Sequence, residues 1–515
     1  MMASASLKLG DLYRLSGDQT SALAAYEESL HLYGKIDFAA FSYSAHKGKF
    51  LAYLAQNNDA LAAQEMEIVF RLFDEYREKI RGERQKDFFF DREQDTCDLA
   101  IGFTYFRLGD HNRALDYSET CRARNLRDLM SRGAEVTATA GGLDLQARSG
   151  AAVDSLPLRA TEIAGQLPQE VQLIEYAVLD NKLVMWLVTR TGIVPESVDI
   201  ESSKLTALAA ATLKQIKGRD DNAARQSLKD LYTLLIEPVR ERLDPNKVIC
   251  FVPDKTLHYV PFSALISTAS DHYLVEDYQV MVSPSLAILI DSTNKAMAFP
   301  AEQEERLLAV GNPAFDRTAT PNLSNLPEAE REVEGFVSDY PLHRVLVRRQ
   351  ATLRAVTEEL RYANVAHFAT HYQIDPTSTL SSRLLLAPEV GNWSHTQLAE
   401  LNSGTIYQMD LAHVRLVILA ACQTGIEQEF GGEGPIGFAR SFLVAGVPVV
   451  VASLWPVDSD STAELMIAFH RQRRREHWPA TVALARAQQE MMARENRRSP
   501  YYWAGFTLIG GYSHF

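Results

Sequence analysis

Cysteine is scarce in this chain. Its 515 residues hold four, Cys97, Cys121, Cys250 and Cys422, too scattered for a disulfide framework or a zinc site, so reduced thiols and a cytoplasmic protein are expected. No apolar run approaches the ~20 residues that cross a bilayer, and no signal peptide opens the sequence, so no membrane partner is expected. Positive charge is in deficit too. The 52 Lys and Arg against 66 Asp and Glu leave a net charge of −14, which argues against direct nucleic-acid binding, because that needs a phosphate-neutralising surface. The run Arg471-Gln472-Arg473-Arg474-Arg475 interrupts the acidic background and reads as a solvated helix end after the apolar stretch Ala463 to Phe469. The densest glycine segment, Phe430 to Gly437, is not followed by Gly-Lys-Ser/Thr, so no nucleotide site and no cofactor are expected. It reads instead as a mobile loop leading into a helix over 438–445.

What is present is a pair of short apolar runs that end in chemistry. Val365 to His371 and Leu416 to Cys422 are each closed by polar or glycine-bearing sequence, the pattern of strands buried on both faces of a parallel sheet. Open α/β sheets place their chemistry just beyond such strand ends. A thiol with an ordinary pKa of ~8.5 is mostly protonated at neutral pH and needs a base, which a nearby imidazole can supply. Spacing alone leaves two readings open, a Cys/His dyad or a packing cysteine with a hydrogen-bonded core histidine. His367 and His371 have the spacing of helical metal ligands, but the run reads as strand, so no metal site is expected. A further apolar run, Val447 to Trp455, reads as a strand beside the cysteine strand and brings Ser453, Trp455 and Asp458 near a substrate. Asp458 and Asp460 read either as helix caps or as an acidic specificity pocket, with Asp458 the first choice.

The N-terminal third has helical periodicity. Leu9-Gly10, Tyr13, Gly17-Asp18, Ala22-Leu23 and Tyr26 recur as Ile101-Gly102, Tyr105, Gly109-Asp110, Ala114-Leu115 and Tyr117, with a weaker copy around Lys47-Gly48, Leu51 and Ala60-Leu61. Small residues at Gly10, Ala22, Gly102 and Ala114 let helices approach, with Tyr13 and Tyr105 filling the space between. The pattern resembles tetratricopeptide repeats, whose concave face suits peptide or protein partners. The charged segment Tyr76 to Arg92 reads as a solvated helix.

From about Leu158 to Phe515 the sequence resembles a CHAT domain, the caspase-like cysteine peptidase module often found with tetratricopeptide repeats. The resemblance rests on ordered blocks: Leu307 to Pro313, Leu326-Pro327 with Glu330 and Glu332, His367 to His371, Ala420 to Gly425, Ser453-Leu454-Trp455 and Tyr501 to Phe506. It implies that His371 is the general base and Cys422 the nucleophile, with backbone N–H groups of Tyr372 and Cys422 at the oxyanion. His367 is left as a strand residue. One departure stands out: the family usually has glycine directly after the catalytic histidine, and this chain has Tyr372. A backbone needing positive φ would be costly for tyrosine, and its ring would crowd the cleft. That leaves altered specificity or an inactive pseudopeptidase open.

The expected architecture is an all-α tetratricopeptide-like repeat region over 1–133, a linker over 134–157, and an α/β caspase-like domain with a mostly parallel central sheet over 158–515. Within the last, Val171 to Ala177 and Leu183 to Val188 flank Asp180-Asn181 as a hairpin, and Val248 to Pro253 adds a buried strand. The expected function is a cysteine endopeptidase acting on a protein substrate and gated by a partner on the repeats. The alternative is a non-catalytic scaffold.

Overall fold

The computed structural model describes residues 2–33, 39–79, 95–132, 134–139, 142–147, 159–300, 304–315, 323–375, 379–389, 399–421 and 437–515. They divide into two compact units, Met1–Ala114 and Leu115–Phe515. Three readings from the sequence lie outside the described residues: Cys422 with the turn behind it, the glycine-rich loop up to 436, and most of the charged segment after residue 79. No helix among the described residues is long and apolar enough to cross a membrane.

The first unit is helical. Met2–Leu15, Gln19–Tyr33, Ala39–Ala55 and Asp59–Lys79 pack each against the next in sequence or across a turn. Three turns share one device. A left-handed residue, Gly17 (φ 89°), Asn57 (φ 56°) or Gly109 (φ 68°), precedes a cap whose carboxylate or amide oxygen accepts a backbone N–H three residues on. Asp18 takes it from Ser21, Asn58 from Leu61 and Asp110 from Arg113, as helix N-caps do. Ala22, Ala62 and Ala114, each four residues past its cap, are fully buried. The middle copy is therefore carried by Asn57-Asn58 and Ala62 rather than by Ala60-Leu61. It was hard to see because asparagine, which tolerates the left-handed region, replaces Gly-Asp. The filler between helices is Tyr26 more than Tyr13: its ring is fully buried, a Cβ on Gly10 would stand 2.6 Å from it, and its hydroxyl donates to Asp11 at 2.7 Å.

Helix His111–Arg132 continues past Ala114 into the second unit. There the Glu119 carboxylate accepts the Leu286 and Ala287 amides at 2.7 and 3.1 Å, at the start of helix Leu286–Met297, and Arg122 donates to the Pro253 carbonyl at 2.7 Å. The stretch read as a linker contains an antiparallel pair, β1 (Ala134–Thr139) and β2 (Gly142–Ala147). Its Ala-, Gly- and Thr-rich sequence has too few large side chains for an alternation to be legible.

The central sheet is built from β3 (Val171–Val178), β4 (Lys182–Thr189), β5 (Gly192–Asp199), β6 (Val248–Val252), β7 (Val280–Val282), β8 (Arg306–Pro313), β9 (Leu342–Arg348) and β10 (Val365–Ala369). After a small antiparallel sheet of β11 (Tyr372–Gln373), β12 (Arg383–Leu386) and β13 (Ala399–Asn402), it is completed by β14 (Leu416–Leu419), β15 (Val449–Ser453) and β16 (Phe506–Gly510). Its order is β5-β4-β3-β6-β7-β16-β15-β14-β10-β8-β9. The β3/β4 hairpin closes around Asp180-Asn181. Pairing is parallel except at β4 with its two neighbours and at β15/β16. The β15/β16 junction splits the sheet into two halves of opposite strand direction, so the C-terminal ends of β8, β10, β14 and β15 share one edge. Every residue of β14 is fully buried, which explains its unbroken Leu-Val-Ile-Leu run. Helix Pro327–Phe336 packs on β8, β10 and helix Ser459–Arg474. Of the cysteines, Cys250 is a free, buried thiol. Cys97 and Cys121 are half-cystines, a correction to the expectation of reduced thiols.

Candidate active site

His371 stands just beyond β10. Its backbone is pinned where the chain turns from the central sheet into β11: Leu385 N–H donates to its carbonyl at 2.9 Å, and the Thr370 hydroxyl lies 2.9 Å from the same oxygen. Its ring is half-buried, packs against Phe315 with centroids 5.7 Å apart, and has Nε2 2.8 Å from the carbonyl oxygen of Ser324. A carbonyl only accepts, so Nε2 carries the proton and the neutral ring keeps its lone pair on Nδ1. That is the state a general base requires.

The neighbouring strand supplies the second element. In the parallel β10/β14 pair, Phe368 is registered with Leu419. His371 is the third residue after Phe368, and Cys422 is the third after Leu419. Ala421, the last described residue of this stretch, has its carbonyl bound by the Ser453 hydroxyl at 2.6 Å. The end of β14 is thereby tied to the end of β15.

A family model described as the CHAT domain matches residues 225–511, more than half of the chain. The chain belongs to the CHAT domain family. Tetratricopeptide repeat protein 28 of Homo sapiens is 26% identical to it over 333 residues, 57% of this chain and 13% of that protein. The Mus musculus protein of the same name is 26% identical over 336 residues, again 57% and 13%. The chain thus spans a small part of the curated relatives' length. Among solved structures, the Saccharomyces cerevisiae separase-securin complex at 3.0 Å aligns with a TM-score of 0.53 and 9% identity, covering 100% of this chain and 47% of that one. The likeness is one of fold. Repeats followed by a CHAT domain on a caspase-like, mostly parallel sheet are the architecture of this protein.

Within the CHAT domain, Tyr372 has a conformation that tyrosine accepts easily. It lies in β11 opposite Leu384 and is not among the residues with positive φ. Its ring turns onto Phe438, centroids 5.1 Å apart, and packs against the core. Because Leu385 N–H binds the His371 carbonyl, the Tyr372/Leu384 pair falls at the position that does not exchange ladder hydrogen bonds, and the Tyr372 amide is directed away from β12.

The three pocket candidates are engaged internally. Ser453 is fully buried and binds the Ala421 carbonyl. Trp455 is fully buried with Nε1 donating to the Tyr501 carbonyl at 3.3 Å. Asp458 is the N-cap of helix Ser459–Arg474, accepting the Ser461 amide at 3.0 Å and its hydroxyl at 2.6 Å. Burial raises its pKa, but the two Ser461 bonds together with the charges of Arg497 and Arg219 outweigh this and hold the carboxyl below its ordinary value. Asp460 faces Arg331 at 2.6 Å and Arg497.

His367 is a residue of the interior and shares no site with His371. Its Nε2 is 2.6 Å from Glu332 Oε1, and its Nδ1 is 3.1 Å from Nε2 of His470, whose Nδ1 is 2.7 Å from the Tyr340 hydroxyl. Arg473 donates to that hydroxyl at 3.1 Å and pairs with Glu305, which also takes Arg415 at 3.2 Å and Arg474 at 3.4 Å. With Glu332 ionised and His367 neutral, one assignment satisfies every step: Arg473 to Tyr340, Tyr340 to His470, His470 to His367, His367 to Glu332. Burial, the largest cause, pushes His470 well below its ordinary pKa, so it is neutral as the chain requires. The basic run is thus a helix end that is only partly solvated. Arg473 is buried, and Arg471 and Arg475 pair with Glu490 and Asp339.

Sequence reasoning passed over Ser324, which acts through its backbone, and gave no task to Asn312, Glu330 or Glu332. The last three were visible as members of the family blocks.

Proposed function

We propose that this protein is a cysteine endopeptidase in which Cys422 attacks a peptide carbonyl and His371 moves the proton. The observation that carries the reading is the shared strand edge, where the registered Phe368/Leu419 pair precedes His371 and Cys422 by the same count. Nδ1 of His371 takes the thiol proton and the thiolate forms the C–S bond. The imidazolium then gives that proton to the departing amine as the C–N bond breaks, and water hydrolyses the thioester. The Tyr372 amide, directed away from β12, and the Cys422 amide serve the oxyanion. The substrate is a protein or peptide, and the repeats hold a protein partner that gates cleavage; both belong to the proposal. Tyr372, whose ring replaces a family glycine, lends support to the alternative of a repeat-bearing pseudopeptidase scaffold.

A thiol-directed peptidyl electrophile decides between them. Labelling at Cys422 that is lost in His371→Ala, with peptide-library cleavage lost in Cys422→Ala, supports the enzyme. Absence of labelling and of cleavage with candidate partners present would leave the scaffold.

A further inference from the structure

We propose that Asn312 is a positioning residue for His371, acting through the segment between Leu326 and Ser324. This builds on the peptidase reading, since it concerns the ring nitrogen that the proposed base leaves open. Asn312 ends the regular part of β8, where pairing with β9 is irregular between Gly311 and Pro313. Its backbone is left-handed at φ 47° and the residue is 2% exposed. Asparagine is one of the few side chains that accept this conformation, and here its amide is used at both ends. Oδ1 accepts the Leu326 N–H at 2.9 Å, and Nδ2 donates to Glu330 Oε2 at 2.9 Å, which also takes Arg348 Nε at 3.0 Å. The partners leave only one orientation of the amide: a backbone N–H requires an oxygen, and a carboxylate requires a donor.

The consequence reaches the imidazole. Leu326 is the residue that enters helix Pro327–Phe336, and the carbonyl that binds His371 Nε2 belongs to Ser324, two residues earlier. Two residues of chain span at most about 7 Å, so anchoring the Leu326 amide confines the Ser324 carbonyl. Glu330 is suited to its part. Burial raises its pKa, but Arg348 and Asn312 outweigh that and keep the carboxyl below its ordinary value, so it accepts from both at neutral pH. Arg348, Glu330, Asn312 and the Leu326 amide form one brace, and its load is the acceptor that keeps the proton on Nε2 and the lone pair on Nδ1.

The test uses the full chain with 15N-labelled histidine in a Cys422→Ala background, where the ring shifts of His371, assigned by loss in His371→Gln, report which nitrogen is protonated. Asn312→Gly suits the left-handed backbone and removes only the amide. It is expected to convert a single Nε2-protonated form into a mixture, and in the Cys422 protein to lower kcat about tenfold with KM nearly unchanged. The double variant Asn312→Asp, Glu330→Gln reverses donor and acceptor between these two side chains while retaining an oxygen for Leu326, and is expected to restore the wild-type shifts. Unchanged His371 shifts in Asn312→Gly overturn the assignment whatever the activity. If the wild-type protein cleaves nothing, the peptidase reading fails, and the ring shifts still decide the role of Asn312.

Discussion

Nε2 of His371 and the carbonyl oxygen of Ser324 stand 2.8 Å apart, while His367, four residues earlier, has both ring nitrogens engaged in the interior. The two histidines of one short run are therefore divided between a half-buried position and a buried, structural one. The division follows from what each ring faces.

Tyr372→Ala tests whether the departure from the family glycine matters. Since Tyr372 is not in a positive-φ conformation and its ring packs on Phe438, truncation is expected to destabilise by about 2 kcal/mol through lost packing. The backbone amide stays in place. Calorimetry should show the lower melting temperature, with kcat/KM changed by less than about threefold for the proposed reaction. A large rise in activity would show instead that the ring obstructs the cleft.

Asp458→Ala should act on a helix and not on specificity. Loss of the cap to Ser461 is expected to cost about 1 kcal/mol, read as a lower denaturation midpoint. The residue preferred before the scissile bond in peptide-library cleavage should not change. Selective loss of cleavage after arginine or lysine would support the acidic-pocket reading.

Glu305 gathers three arginines in the interior, and its removal should be severe. Breaking such a buried set typically costs about 3–5 kcal/mol, so Glu305→Gln is expected to lower stability sharply at neutral pH. The pH dependence has a definite sign. Burial raises the Glu305 pKa, but Arg473, Arg474 and Arg415 pull it below its ordinary value, so the unfolded chain protonates first as acid is added. Its contribution is complete above the ordinary carboxylate pKa of ~4.3 and is lost as pH falls through that value toward the depressed folded one. Melting curves across that range should show a steeper decline for the wild type than for Glu305→Gln.

In the repeat unit, Gly10→Ala places a methyl carbon 2.6 Å from the buried Tyr26 ring. Overpacking of this kind costs about 1–3 kcal/mol. Hydrogen exchange should report loosening of Gln19–Tyr33 while protection in the central sheet of the second unit is retained. Equal loosening of both would show that the two units unfold together.

The legible part of the site was the part written in local pattern. Val365–Ala369 and Leu416–Leu419 are runs that only a doubly covered strand tolerates, and they pointed at His371 and Cys422 by their ends. The Gly-Asp turns were legible for the same reason, since a left-handed residue followed by a cap is a local requirement. The middle repeat, which meets that requirement with Asn57-Asn58, was misregistered. The parts that were missed depend on partners far along the chain. Arg473 looks like solvated charge until it meets Glu305, 168 residues away, and His367 looks like a spare strand residue until it meets His470, 103 residues away.

The sequence by itself determined the elements, the repeat-plus-CHAT order and the residues that stand at strand ends, because backbone hydrogen bonding and burial act over a few residues at a time. Only the tertiary structure decided what those residues face. It placed a backbone carbonyl beside His371, turned Tyr372 against the core, capped a helix with Asp458 and buried Arg473, because polar groups removed from water must find partners wherever the fold brings them.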